Sequence, residues 1–133
     1  MKNYEQIRAK NALEAADNPG YRFTGQKEGE VVKKVPAMIR ENGFLAAAAF
    51  AKEKGGGYED VFKATIKHLT DPEIGKLKGE MSLKDLISFL SGKATSAGLR
   101  EITAEALAYL NYLRRFARTN KKPGRNKDER NGN

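Results

Sequence analysis

The stretch ITAEALAYLNYLRRFA, residues 102–117, decides the fold class. On a helical wheel that advances about 100° per residue, most of its large apolar side chains and two alanines fall in one stripe about 120° wide. The stripe consists of Ile102, Ala106, Tyr109, Leu110, Leu113, Phe116 and Ala117. This pattern predicts a long amphipathic helix, from about Ser96 to Thr119, with one face in a hydrophobic core.

The opposite face of this predicted helix is basic. Its positive side chains, which we call the arginine ridge, are Arg100, Arg114, Arg115 and Arg118. Glu101 and Glu105 are expected to lie to one side of this arc. At about 1.5 Å per residue the ridge is about 27 Å long, enough to follow a phosphate backbone for several nucleotides. The alternative is an ordinary solvated face whose C-terminal arginines complement the helix dipole.

The rest of the chain also has helical periodicity, and no segment shows the sustained alternation of Val, Ile and Thr that is typical of strands. Turn signals separate the helical patterns: NPG at 18–20, NG at 42–43 and GGG at 55–57. Further helices are predicted over residues 3–17, within 28–43, over 44–54, over 58–69 and from residue 83 onward. The sequence therefore predicts an all-α fold, a single-domain compact bundle of about six helices.

Several side chains carry specific structural expectations. Ten large residues should form the core: Ile7, Val32, Ile39, Phe50, Phe62, Phe89, Ile102, Tyr109, Leu113 and Phe116. The first helix should present an apolar surface of Tyr4, Ile7, Ala12, Leu13 and Ala15. Pro36 should kink its helix without ending it, and the alanines at 46–49 should let a neighbouring helix approach closely. His68 is expected at the core boundary, and Glu59 and Asp60 in a first helical turn, where acids suit the dipole.

Positive charge is concentrated near the end of the chain. Residues 114–130 contain eight Lys and Arg and two acids, which accounts for +6 of the total net charge of +8. Residues 119–133 have no large apolar side chain and cannot bury enough surface to offset the entropy of ordering. We therefore predict a helical domain over 1–118 and a disordered basic tail over 119–133.

Two further groups of basic residues are candidates for RNA contact. Lys121 and Lys122 in the predicted tail would extend the arginine ridge. Lys33 and Arg40, seven residues apart on one predicted helix, form a smaller patch. For this second patch a solvated face is the stronger interpretation.

Composition limits the classes of protein. A chain of 133 residues has the size of one domain. Because it has no Cys and one His, thiolate metal sites and His clusters are excluded. No apolar run of 18 residues and no apolar signal segment is present, so we expect a cytoplasmic protein without a membrane partner. A pI near 9.7 favours an acidic partner, of which nucleic acid is the commonest.

Signatures of catalysis are weak. GKAT at 92–95 resembles the end of a phosphate-binding loop, but Ile87 stands where that loop requires glycine. GGGYED at 55–60 lacks the spacing and the preceding strand of a dinucleotide site. We predict that the protein is not an enzyme and uses no cofactor or metal.

Three stretches taken together are similar to a known family: IRAKNALEAA at 7–16, VPAMIRENGFLAAAAFAKEK at 35–54 and LREITAEALAYLNYLRRFA at 99–117. They resemble the small helical subunit of the type III-B CRISPR effector, the Cmr complex, over roughly residues 3–118. The segment 71–80 and the basic tail depart from the family pattern.

The resemblance implies a non-catalytic structural subunit. Such subunits stack on one another beside a filament of backbone subunits, and they line the groove where target RNA pairs with the CRISPR guide RNA. Nuclease activity belongs to other subunits of the complex. Recognition is then expected through backbone charge and duplex shape, because guide pairing reads the sequence.

Two alternatives of other classes stay open. A helical DNA-binding regulator would use PAMIRENGFLAAAAF at 36–50 as helix, turn and helix, but its second helix offers alanines where base-reading side chains are needed. A small protein-interaction module would carry its charge incidentally. Salt-dependent binding to heteropolymeric RNA would argue against the module, and sequence-selective duplex binding would support the regulator.

Overall fold

The computed structural model describes residues 3–23 and 30–119. Within these two ranges the chain forms six α-helices and no strand. The helices are α1 (Tyr4–Ala16), α2 (Glu30–Asn42), α3 (Phe44–Lys54), α4 (Gly56–Leu69), α5 (Leu83–Gly92) and α6 (Ser96–Thr119). The predicted all-α class and the bounds of the last helix are confirmed.

Helix α6 organises the bundle because it packs against α1, α2 and α4. Helix α3 lies against α2, α4 and α5, and α5 also packs against α4. The predicted stripe of α6 faces this core, with Ile102, Ala106, Tyr109, Leu110, Leu113 and Ala117 buried. The opposite face of α6 is consequently left at the surface.

Local sequence signals place the helix ends. The side chain of Asn3 accepts the backbone N–H of Gln6 at 2.8 Å, and the Gln6 side chain accepts the Asn3 N–H in return at 3.3 Å. Ser82 and Asp85 form the same reciprocal cap at the start of α5. Gly43, between α2 and α3, has a φ of 94°, a conformation that strongly favours glycine.

Helix α2 continues through Pro36, so the expectation of one helix and no restart is confirmed. Its buried face contains Val32, Val35 and Ile39. Helix α3 uses Ala47 and Ala48 as close contacts, 2% and 0% exposed, whereas Ala46 and Ala49 face outward.

Three of the predicted core aromatics lie farther out than expected. Phe50 is 40% exposed, and Phe89 and Phe116 are only partly buried. The core-facing positions of α3 are occupied by Phe44, Ala47, Ala48 and Ala51. Phe50 therefore falls on the flank of α3, where its ring meets the ring of Tyr58 edge-on at 5.2 Å between centroids.

The apolar surface predicted for α1 is narrower than expected. Its fully buried residues are Ile7 and Ala12, while Tyr4 and Leu13 are 41% and 46% exposed. The guanidinium of Arg8 instead lies over the Tyr4 ring, 5.5 Å from the ring centroid. An alanine-rich helix gives little contrast between faces, which explains the error.

Candidate nucleic-acid interface

The outer face of α6 carries the described part of the arginine ridge. Arg100 and Arg115 are exposed and Arg114 is partly buried. The guanidinium of Arg114 donates to the Asn111 side-chain oxygen at 3.3 Å. Across residues 3–23 and 30–119, no ion pair neutralises any of these three arginines. Their positive charges are therefore available to an anionic partner.

The ridge is interrupted in its middle. Arg100 and Arg114 are about 21 Å apart along the helix axis. Between them the outer face shows exposed Ala104 and Asn111 and partly buried Leu107. The basic charge is thus gathered in the last turns of α6, with Arg100 as a separate point near its start.

The structure describes only some of the other residues that were predicted to contact RNA. Lys33 and Arg40 are both exposed on α2, and no ion pair engages either of them within the described chain. The backbone of Arg118 belongs to α6, whereas Lys121 and Lys122 lie outside the described residues. The predicted extension of the ridge into the tail therefore stays a prediction.

A second basic surface was not predicted from the sequence. An open groove between α4 and the start of α5 is lined by four lysines together with acids. The lysines are Lys52, Lys63, Lys67 and Lys84, and the acids are Glu59, Glu80 and Asp85. Lys63 and Lys67, four residues apart on the exposed side of α4, could have been found on a helical wheel. The mixture of signs gives this groove less net charge than the end of α6.

Beneath the surface, Glu105 is the centre of a buried polar network. The Arg8 guanidinium donates to both carboxylate oxygens of Glu105 at 2.8 Å, and His68 Nε2 lies 2.8 Å from Oε2. Burial acts to raise the pKa of Glu105, but the hydrogen bonds from Arg8 and His68 outweigh it and lower that pKa to about 2. Glu105 is 4% exposed, and its burial was not predicted from its position to one side of the basic arc.

His68 was also expected at the core boundary and is instead fully buried, 1% exposed. The Asn11 amide nitrogen lies 2.9 Å from His68 Nδ1 and donates to the Asp71 carboxylate at 2.9 Å. Because an amide nitrogen only donates, Nδ1 accepts and the proton sits on Nε2, which donates to Glu105. Both ring nitrogens are occupied, so this histidine is not available as a general base.

Asp60 likewise has a structural role. It is 3% exposed and accepts hydrogen bonds from the backbone N–H and the Nε of Arg22, both at 2.9 Å. The expectation that Glu59 and Asp60 together serve the helix dipole holds only for Glu59, which lies in the first turn of α4. Asp60 instead ties the segment after α1 to α4.

The residues that the structure describes contain no group of three His, Asp or Glu side chains able to hold a metal ion. Nor does any helix in this part of the chain have the length and apolar character needed to cross a membrane.

The comparisons with known proteins give one informative match. No curated protein and no solved structure is significantly similar to the chain. The sequence profile of the family described as "CRISPR-associated protein (Cas_Cmr5)" matches residues 4–120, which is nearly the whole chain. The protein therefore belongs to the Cas_Cmr5 family and is a small subunit of the Cmr (type III-B) CRISPR complex.

Proposed function

We propose that this small subunit stabilises the duplex of guide RNA and target RNA by contacts to phosphates, and that it does so without catalysis. The observation that carries the proposal is the group of arginines on the outer face of α6, which have no acidic partner in the described chain. Arginines on a rigid helix, held opposite its buried stripe, suit a backbone that is recognised by charge and not by sequence.

The end of α6 is the assigned contact. Arg114 and Arg115 are adjacent in sequence, and Arg118 follows one turn later on the same face of the helical wheel. Lys33 and Arg40 on α2, and Lys121 and Lys122 after α6, are assigned as secondary contacts. Because each contact is to a phosphate, removing one should weaken binding to all RNA sequences equally.

A structural role without turnover is supported by the state of the buried acidic and imidazole groups. His68 has both ring nitrogens occupied, and Glu105 and Asp60 are each committed to an arginine. Chemistry would need a base or nucleophile free to approach RNA. We therefore propose that nuclease activity of the complex resides in other subunits and that the protein acts in the cytoplasm.

Contacts to the backbone subunit and to further copies of the chain form the second part of the proposal. The outer face of α3 presents Ala46, Ala49 and Phe50 to solvent, with Phe50 at 40% exposure. An exposed aromatic side chain is typical of protein interfaces. We assign protein contact to this face, so that the end of α6 is left for RNA.

The test uses the assembled complex. Wild-type protein and the variant Arg114→Ala/Arg115→Ala/Arg118→Ala are assembled with the other Cmr subunits and guide RNA, and the affinity for target RNA is measured. Removing three arginines that bind phosphates should weaken binding at least about tenfold. The charge-matched control, Lys52→Ala/Lys63→Ala/Lys84→Ala, removes three positive charges from the α4–α5 groove and should bind nearly as well as wild type.

Two results would contradict the assignment. Equally weakened binding in both triple variants would mean that only net charge matters. If the arginine variant fails to join the complex, its arginines serve subunit contact instead of RNA.

A further inference from the structure

A cavity of about 360 Å³ lies between α1, the segment that follows it, and α4. Its walls include Asn11, Ala15, Tyr21, Ala64, Lys67 and Tyr109. Cavities that hold small organic ligands start at about 300 Å³. This cavity is separate from the outer face of α6, because Tyr109 belongs to the buried stripe of that helix.

The hydroxyl of Tyr109 is a buried donor without a partner in the described part of the chain. Tyr109 is 1% exposed, and its ring stacks on the His68 imidazole at 4.3 Å between centroids. Among residues 3–23 and 30–119, nothing hydrogen-bonds to this hydroxyl. Burial, together with Tyr21 and Glu14, raises the pKa of Tyr109, so the hydroxyl keeps its proton. All three residues line the cavity. A buried phenol is rarely left unsatisfied, which points to a bound group that accepts from it.

Asn11 adds a complementary acceptor to the same cavity. Both hydrogens of its amide nitrogen are committed, one to His68 Nδ1 and one to the Asp71 carboxylate. The carboxylate fixes the orientation of the amide, because a flip would set the Asn11 oxygen against it. The Asn11 Oδ1 atom accepts no hydrogen bond within the described chain and is therefore able to accept one from a bound group.

The other walls carry small or aromatic side chains, and the charged residues of the lining are two lysines, Lys10 and Lys67, and two acids, Glu14 and Asp71. Ala15 and Ala64 leave space because their side chains are small, and Tyr21 supplies an aromatic ring. At the rim, Lys10 is paired with Glu14 at 3.1 Å, whereas exposed Lys67 has no ion pair in the part of the chain that the structure describes. A free ammonium at the mouth of a cavity suits a phosphate attached to the bound group.

We propose that this cavity binds a nucleobase, with the Tyr109 hydroxyl and the Asn11 oxygen contacting its polar edge and Lys67 contacting the attached phosphate. The edge of a base presents an acceptor beside a donor, which matches one donating and one accepting group on the wall. The base belongs either to an unstacked residue of an RNA strand, which rests on the proposed function, or to a free nucleotide.

The experiment uses the full chain with its tyrosine rings isotopically labelled for NMR. Nucleoside monophosphates, the matching nucleosides and a short single-stranded RNA are titrated separately. The resonances of Tyr21 and Tyr109 should shift, while those of Tyr4 and Tyr58, which do not line the cavity, should stay in place. Tighter binding of RNA than of the mononucleotide assigns the site to a strand, and equal binding assigns it to the free nucleotide.

Tyr109→Phe is the deciding variant. It keeps the ring that stacks on His68 and removes a hydroxyl without a partner, so the free energy of unfolding should be unchanged or higher. Affinity for nucleotides should fall about tenfold or more. Lys67→Ala should weaken binding of the monophosphate but not of the nucleoside, and Lys63→Ala, one turn away and outside the cavity wall, should change neither.

The proposal is overturned if no ligand shifts Tyr21 and Tyr109 at millimolar concentration, which would leave the cavity to water, or if Tyr109→Phe binds like wild type. A fall in the stability of Tyr109→Phe would also count against it, because the hydroxyl would then have a partner in the free protein. Its failure is distinguishable from failure of the arginine contact: Arg114→Ala/Arg115→Ala/Arg118→Ala should keep mononucleotide binding, and Tyr109→Phe should keep the affinity of the complex for paired RNA.

Discussion

Replacing Glu105 by Gln should destabilise the fold strongly, because the carboxylate is held by two different donors. The change keeps the shape of the side chain, but its new amide has one oxygen and one donating nitrogen. Whichever way this amide turns, its N–H₂ group faces either the Arg8 guanidinium or His68 Nε2, which both donate. At least one buried donor is then left without an acceptor.

The stability lost in Glu105→Gln can be derived from the structure in two ways. A pKa lowered from 4.5 to about 2 corresponds to about 3 kcal/mol of stability at neutral pH. Breaking a buried ion pair by removing one partner costs about 3–5 kcal/mol, and Arg8, 24% exposed, can recover some hydration. We therefore expect the free energy of unfolding to fall by about 3 kcal/mol.

Urea unfolding at pH 7, followed by far-UV circular dichroism, measures this change in stability. Glu101→Gln is the matched control, since Glu101 lies one turn earlier on α6, is 66% exposed and meets Lys76 at only 3.4 Å. It should change stability by less than about 0.5 kcal/mol. A destabilisation below about 1 kcal/mol for Glu105→Gln would refute the network as a source of stability.

The pH dependence has a defined sign: because the pKa of Glu105 is lowered on folding, its stabilisation is present above about pH 4.5 and is lost as the pH falls towards 2. The stability difference between wild type and Glu105→Gln should shrink over this window in urea titrations, and a constant difference would contradict the lowered pKa. Because Ala48 is 0% exposed, Ala48→Leu should lower the free energy of unfolding by about 1–3 kcal/mol, measured by thermal unfolding. Ala49→Leu, at an exposed position, should leave stability nearly unchanged. Equal effects of the two substitutions would disprove the close contact of α3. Purified protein incubated with RNA and a divalent metal ion should leave the RNA intact. RNA cleavage that is abolished by an Asp60→Asn substitution would contradict the proposal that the protein is not catalytic.

The helices could be predicted because their signals are local. Residues 96–119 repeat apolar side chains at helical spacing over 24 residues, and the bounds of α6 were confirmed. The caps at Asn3 and Ser82 depend on residues three apart. In α3 the prediction that Phe50 lies in the core was wrong. Alanines occur on both sides of this helix, so a helical wheel does not show which face is buried.

The polar interior could not be predicted in the same way. His68 and Glu105 are 37 positions apart, and Arg8 lies 97 positions from Glu105. On the wheel Glu105 borders the apolar stripe, and its burial depends on α1 covering that border. Likewise, nothing in the sequence around Tyr109 says that its hydroxyl lacks a partner, because the partner would have to come from another element. By contrast, the exposure of Arg100 and Arg115 on α6 followed from the wheel alone.

The salt dependence of RNA binding by the isolated 133-residue chain tests the role of the α6 arginines most directly. The logarithm of the affinity is plotted against the logarithm of salt concentration for wild type, for Arg114→Ala/Arg115→Ala/Arg118→Ala and for a chain lacking residues 120–133. If the three arginines bind phosphates, the slope of the triple variant should be smaller by about 2, at about 0.7–0.9 for each phosphate that is no longer neutralised. Deleting residues 120–133 should leave that difference in place. An unchanged slope in the triple variant, with binding abolished by the deletion alone, would contradict the assignment of RNA contact to α6.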